Sequence, residues 1–148
     1  DYRVRVIKQS NDSSDYINAS YVDGYKQKKA YIAAQSPIKE SIPEFWRMVY
    51  EKESVVIVML CQLNEYGQDM CEKYWPEKNE SISFPFYTVE CKEQVVKEGY
   101  IWRKLNIVFS IENKILWETV TREKKVNQMQ ILHWPGAEDD LSPMLQMI

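Results

Sequence analysis

The stretch LHWPGAEDD, residues 132–140, sets a Trp-Pro pair, Trp134-Pro135, ahead of Gly136 and two carboxylates, Asp139 and Asp140. A loop of this make-up looks like a mobile element built to bring a side chain somewhere. Gly136 has no side chain to bring. Asp139 and Asp140 stand three and four residues farther along, about 10 Å of extended chain away. His133, the only histidine, lies between Leu132 and Trp134 with no evident partner and reads as a structural hydrogen-bonding residue rather than a base. Cys61 ends an apolar run, Cys71 precedes Tyr74-Trp75-Pro76 and Cys91 ends a β-like run. Each reads as a small buried or partly buried hydrophobe, not as a thiolate nucleophile. With one histidine and no clustered ligand spacing, no metal site is predicted, and nothing calls for a cofactor.

The elements that must carry these residues follow from periodicity and punctuation. Val4 to Ile7, Tyr16 to Val22 and Ala30 to Gln35 read as extended segments, the first two separated by the turn-prone residues 10–14. A helix is predicted next. Ser41 caps it with Glu44 reaching back, Pro43 fits the first turn, Ile42, Phe45, Trp46 and Val49 share one face, and it runs to about Glu51. Val55 to Leu60 is an unbroken, β-branched apolar run, predicted as a strand covered on both faces. Further strands are expected over Ile82 to Cys91, Tyr100 to Ile111, Ile115 to Val120 and Val126 to His133, the last two joined by a charged turn at Arg122 to Lys125. The expected fold class is α/β (α+β), a central mixed sheet flanked by helices. Ser142 and Pro143 make a helix start whose apolar face, Met144, Leu145, Met147 and Ile148, is under two turns long. The expectation is therefore an incomplete domain.

Composition bounds the rest. The chain has 148 residues, enough for one domain, and with 45% hydrophobic and 13% aromatic residues it can build a sizeable core. A net charge of −3 and scattered basic residues exclude nucleic acid and an anionic membrane as obvious partners. Lys26, Lys28 and Lys29, and the Arg122 to Lys125 run, read as solvated turns. No segment approaches the roughly 20 apolar residues of a membrane span, and no leader pattern is present at the start. Three cysteines without a CxxC pair point to a reducing compartment, which makes the sequons at Asn11, Asn18 and Asn79 chance matches. Asn18 is expected to tie backbone segments together, Tyr25 to close the core with its hydroxyl outward, and Trp46, Trp75 and Trp134 to act as core or loop anchors.

In order, DYINASYVDGY (15–25), YIAAQSP (31–37), EFWRMVYE (44–51), VVIVML (55–60), CEKYWPE (71–77) and WP (134–135) resemble the successive blocks of a protein-tyrosine phosphatase domain. The likeness covers almost the whole chain and is nearest to the tandem domains of receptor-type phosphatases, with departures that resemble the second, membrane-distal one.

That resemblance implies a chemistry and a defect in it. Such a phosphatase attacks phosphorus with a Cys thiolate held at a helix amino terminus, where backbone N–H groups and an Arg bind the phosphate oxygens. The leaving tyrosine, with a pKa of about 10, needs a proton. The family's loop supplies it from an Asp directly after Trp-Pro, the place held here by Gly136, so Trp134, Pro135 and Gly136 form a degenerate general-acid loop. The family's His-Cys-x5-Arg signature surrounds none of the three cysteines and is expected after residue 148. The loop whose tyrosine stacks on the substrate ring is expected before residue 1, since Asp1-Tyr2-Arg3-Val4 resembles the segment following it. No catalytic residue is therefore assigned. The resemblance further implies a regulatory domain in the cytoplasmic part of a single-pass receptor, partnered by a phosphotyrosine protein or a neighbouring phosphatase domain. The alternative it allows is part of an active phosphatase whose nucleophile lies downstream.

Overall fold

The computed structural model describes residues 1–7, 14–65, 68–69, 71–113 and 118–132. These form two compact units, meeting in sequence at Ser54 and Val55, and together they make a mixed α+β architecture. The first unit holds the antiparallel strands β1 (Arg3–Arg5), β2 (Tyr16–Val22) and β3 (Tyr31–Ala34), in the order β1-β2-β3, followed by helix α1 (Ile42–Glu51). Strand β2 alternates as a half-buried strand should, with Ile17 and Ala19 inward and Asn18 and Ser20 outward. Gly24 is required in the turn after it, because an added Cβ would meet Ala30 Cβ at 2.9 Å.

Helix α1 buries Phe45, Trp46, Met48 and Val49, with Pro43 in its first turn as expected. The predicted capping box does not form. A 3₁₀ turn over Lys39–Ser41 runs directly into α1, so Ser41 is already wound, and its Oγ accepts from the Ile38 N–H at 3.1 Å instead. The helix stops at Lys52, whose N–H bonds to Met48 O at 2.9 Å, and Glu53 then adopts φ 54°.

The second unit is built on a mixed sheet in the order β4-β10-β9-β8-β7: β4 (Val56–Met59), β7 (Ser81–Ser83), β8 (Tyr87–Lys97), β9 (Tyr100–Asn113) and β10 (Glu118–Ile131). A small hairpin, β5 (Asn64–Glu65) with β6 (Gln68–Asp69), lies apart from it. Strand β4 runs parallel to β10 and all other neighbours are antiparallel. The only α-helix among the described residues belongs to the first unit, so the helical flanks expected of the sheet are not found among the described residues of the second.

Two strand expectations need correction. Strand β4 bonds only to β10 among the described residues, and Val56 and Val58 stay 46% and 52% exposed. Among the described residues this apolar run thus lies at an edge of the sheet, with part of its surface exposed. The Arg122 to Lys125 run is not a turn but the middle of β10, paired from Arg122↔Phe109 to Lys125↔Asn106. Charge alone does not break a strand, and the run contains no Gly, Pro or Asn to reverse the chain. The Asn106 Nδ2 donates to Glu123 across this pair at 3.0 Å. Between β8 and β9, where a Glu98-Gly99 reversal is needed, Gly99 has φ 81°.

The core of this sheet is one row after another of cross-strand neighbours, Val89↔Ile107 and Cys91↔Leu105↔Val126 among them, all five side chains at most 1% exposed. Leu105 stands at its centre. Leu105→Ala should lower the unfolding free energy by about 2–5 kcal/mol, the range for large-to-small core changes, read from the urea midpoint at unchanged slope.

Candidate functional site

The polar residues that the fold gathers lie at the end of β10, where the chain leads into the Trp-Pro segment. Strands β8 and β9 first pair in step, Cys91 opposite Leu105. A bulge then skips Lys92, so that Glu93 faces Lys104 and Gln94 faces Arg103. Were Lys92 paired in step with the strand, Glu93 would stand opposite Arg103. The bulge therefore sets a neutral amide against a guanidinium that is only 5% exposed.

Arg103 is satisfied almost entirely by glutamines. Its Nε donates to Gln94 Oε1 at 2.7 Å, and its Nη1 donates to Gln128 Oε1 and Gln130 Oε1, each at 3.0 Å. Its planar face lies 4.5 Å from the centre of the Trp75 ring, a cation–π contact in a dry setting. Gln128, fully buried, uses its amide to donate to the Tyr74 hydroxyl at 2.9 Å. Tyr74 and Trp75 meet edge to face with centroids 5.0 Å apart. The Tyr74-Trp75-Pro76 turn is thereby pinned to the sheet from both sides of one cation.

A second branch holds the strand end. Gln62 donates from Nε2 to Ile131 O at 2.6 Å and to Leu132 O at 2.7 Å. Its Oε1 faces the Gln130 amide at 3.5 Å. Gln62 thus fixes the last two described residues of the chain, directly before His133 and Trp134. Residues 133–148 themselves, with His133, Trp134, Pro135, Gly136, Asp139 and Asp140, lie outside the described residues.

Burial shapes the ionisation of this cluster. It raises the Tyr74 hydroxyl well above its usual range, with the Gln128 hydrogen bond acting in the opposite sense. It lowers Arg103, against the pull of Cys91, Glu77 and Tyr74, though a guanidinium still keeps its charge at neutral pH. Burial also raises the Cys91 thiol, which is the opposite of what a reactive thiolate requires. Glu77 is held low by its hydrogen bond to Lys73.

Other residues singled out in the sequence are dispersed. Trp46 and Trp75 are core anchors, at 0% and 2% exposure, whereas Tyr25 is 98% exposed and does not close the core. It sits on the Gly24 turn with Lys26 above its ring, while Lys29 lies over Tyr2 and Tyr21; this lysine cluster is the solvated turn expected. Asn18 does join two segments, donating from Nδ2 to Gln35 Oε1 at 2.6 Å and accepting the Gln35 N–H on its backbone oxygen. Both line a cavity of about 480 Å³ in the first unit, together with Glu40, Glu44 and Arg47. Arg47 is 6% exposed, its Nε 3.7 Å from Glu51 Oε1, with Nε and Nη2 lacking hydrogen-bond partners. Among the described residues no group of three or more His, Cys, Asp or Glu could hold a metal ion.

Sequence reasoning passed over Arg103, Gln94, Gln128, Gln130 and Gln62. Their one signal is polarity at inward positions, Arg103 in step with Leu105 and Ile107, and Gln128 and Gln130 in step with Val126. It becomes legible only once strand register is known. Gln128→Leu should cost about 1–3 kcal/mol, because it deprives both Arg103 and the Tyr74 hydroxyl of a buried partner; urea unfolding measures it. A pH series from about 8 to about 11 tests Tyr74. Below its unfolded pKa of about 10 both states are protonated; above it the unfolded state ionises first, so stability falls as pH rises. Tyr74→Phe should flatten that fall.

A family model described as Protein-tyrosine phosphatase matches residues 1–148. Receptor-type tyrosine-protein phosphatase alpha of Homo sapiens is 38% identical over 144 residues, 96% of this chain and 17% of that protein. Receptor-type tyrosine-protein phosphatase F of Mus musculus is 37% identical over 124 residues, 84% of this chain and 6% of that protein. The chain therefore spans a small part of these relatives. Among solved structures, the catalytic domain of human protein tyrosine phosphatase non-receptor type 18 superposes with a TM-score of 0.82 at 30% identity, covering 99% of this chain and 50% of that one. The same phosphatase in complex with HER2-pY1196 phosphopeptides gives 0.83, at 30% identity, over 99% of this chain and 48% of that one. With the family pattern running through every residue and a relative of this likeness over nearly the whole length, the chain belongs to the protein-tyrosine phosphatase family.

Proposed function

We propose that this chain is part of a catalytically impaired, receptor-type tyrosine-phosphatase domain that acts through interaction, with a phosphotyrosine protein or with a neighbouring phosphatase domain. The observation that carries the reading is Gly136 directly after Trp134-Pro135, where the family resemblance calls for the aspartate that protonates the leaving tyrosine. A positioned acid is worth about 10²–10⁴-fold in rate. Its loss leaves phosphotyrosine, with a leaving group of pKa about 10, as the substrate most affected.

The surrounding geometry supports a retained scaffold. The strand end that leads into this segment is held by Gln62 at two carbonyls, and the Tyr74-Trp75-Pro76 turn by the Arg103 cluster. A segment whose base is so well anchored serves as a contact surface without a proton donor. The receptor-type relatives and the phosphopeptide complexes of the non-receptor type 18 enzyme support phosphotyrosine proteins as the partner class, and the cytoplasmic part of a single-pass receptor as the location. No helix among the described residues is long and apolar enough to cross a membrane.

Gly136→Asp in the full-length protein that carries these residues tests the reading. Turnover of phosphotyrosine should rise about ten- to a thousandfold, and turnover of aryl phosphates that leave readily as anions should change little, because only the former needs protonation in the transition state. Vigorous phosphotyrosine turnover by the unaltered protein, lost on mutating a cysteine outside residues 1–148, would make the domain an active phosphatase instead. Equal gains for both substrate types would show that the substitution merely stabilised the fold.

A further inference from the structure

The β5–β6 hairpin brings together two thiols that stand ten positions apart in the sequence. Its pairs Asn64↔Asp69 and Glu65↔Gln68 fold the flanking residues toward one another, so that Cys71 arrives beside Gln62 and next to Cys61. The two Sγ atoms lie 3.7 Å apart, and the Cys71 thiol also points at Gln62 O, 3.7 Å away. Both cysteines are thiols of intermediate exposure, whereas Cys91 is buried. A peroxide can reach the pair, and each sulfur has the other as its nearest candidate for attack. Disulfide formation must close this gap to roughly 2.05 Å.

We propose that Cys61 and Cys71 form a reversible intramolecular disulfide on exposure to a hydroperoxide, a modification site separate from any phosphatase chemistry. One thiolate attacks the peroxide O–O bond, giving a sulfenic acid and releasing water or, from an organic peroxide, the alcohol. The second thiolate then attacks the sulfenic sulfur, forming the S–S bond and releasing a second water. Two electrons pass from the two sulfurs to the peroxide, and both thiol protons end in the oxygen products. A thiol reductant reverses the step. The site adjoins Gln62, which fastens Ile131 and Leu132, so the cross-link ties the hairpin, the end of β4 and the end of β10 into one unit.

The experiment is peptide mapping of the reduced protein, under native conditions, after stoichiometric hydrogen peroxide. Of the cysteines in residues 1–148, Cys61 and Cys71 should become unreactive to alkylation, with a peptide cross-linked between them that has lost two hydrogens and regains them with dithiothreitol. Cys91→Ser should behave as the unaltered protein. Cys61→Ser and Cys71→Ser should give no cross-link and should accumulate sulfenic or sulfinic acid on the remaining partner. Cross-links through Cys91, independent over-oxidation of Cys61 and Cys71 in the unaltered protein, or a cross-link that forms only in urea would each overturn the proposal. Should a serine variant fail to fold, the map of the unaltered protein decides alone.

Discussion

A buried guanidinium with no carboxylate within hydrogen-bonding distance among the described residues is the constraint around which the second unit is arranged. A charge taken out of water must find donors or acceptors, or its desolvation penalty stands uncompensated. Arg103 meets this with three glutamine oxygens and the face of Trp75. The partners come from three places in the chain: Gln94 from β8, Gln128 and Gln130 from β10, and Trp75 from the segment before β7. One residue therefore sets the strand register, the bulge at Lys92 and the position of the Tyr74-Trp75-Pro76 turn at once. Neutral partners suit this role. Amides supply acceptors on one side and donors on the other, so that Gln128 accepts from Arg103 and donates to the Tyr74 hydroxyl.

The same cluster connects fold to function. Gln130 leads to Gln62, and Gln62 leads to the backbone at Ile131 and Leu132. The chain thus enters the Trp134-Pro135-Gly136 segment from a fixed base. In the family resemblance the segment carries the acid; with Gly136 at that position, its proposed use is contact. The two thiols beside Gln62 lie on this same support, which is why their chemistry would be felt there rather than in the sheet core.

The first unit meets a buried cation differently. Arg47 keeps only a 3.7 Å approach to Glu51, and two of its nitrogens lack hydrogen-bond partners. Glu51 spends its other oxygen on the Ile7 N–H at 2.9 Å, which fastens the segment after β1 to helix α1. Arg103 shows a network completed within its own unit; Arg47 shows one with donors to spare, facing a cavity that also holds Glu40 and Glu44.

Several features were legible in the residues alone. The blocks from Asp15 to Tyr25 through Trp134-Pro135 carried the family, the 3.6-residue apolar spacing of Ile42, Phe45, Trp46 and Val49 carried α1, and Gly136 carried the proposed loss of the acid, because residue type and local period are properties of the sequence itself. Tertiary structure decided what depends on neighbours distant in sequence. It made one strand of Glu118–Ile131 where the charged run suggested a turn, since the ladder with β9 outweighs local polarity. Among the described residues it left the apolar run at Val56–Met59 on an edge, because composition reports what a strand could bury and not what lies beside it. It turned Tyr25 outward, and brought Arg103, Gln94, Gln128, Gln130 and Gln62 together through a bulge and a register that no local pattern encodes. Cys61 and Cys71 became neighbours for the same reason: a hairpin brings its two ends together, and sequence separation alone does not show it.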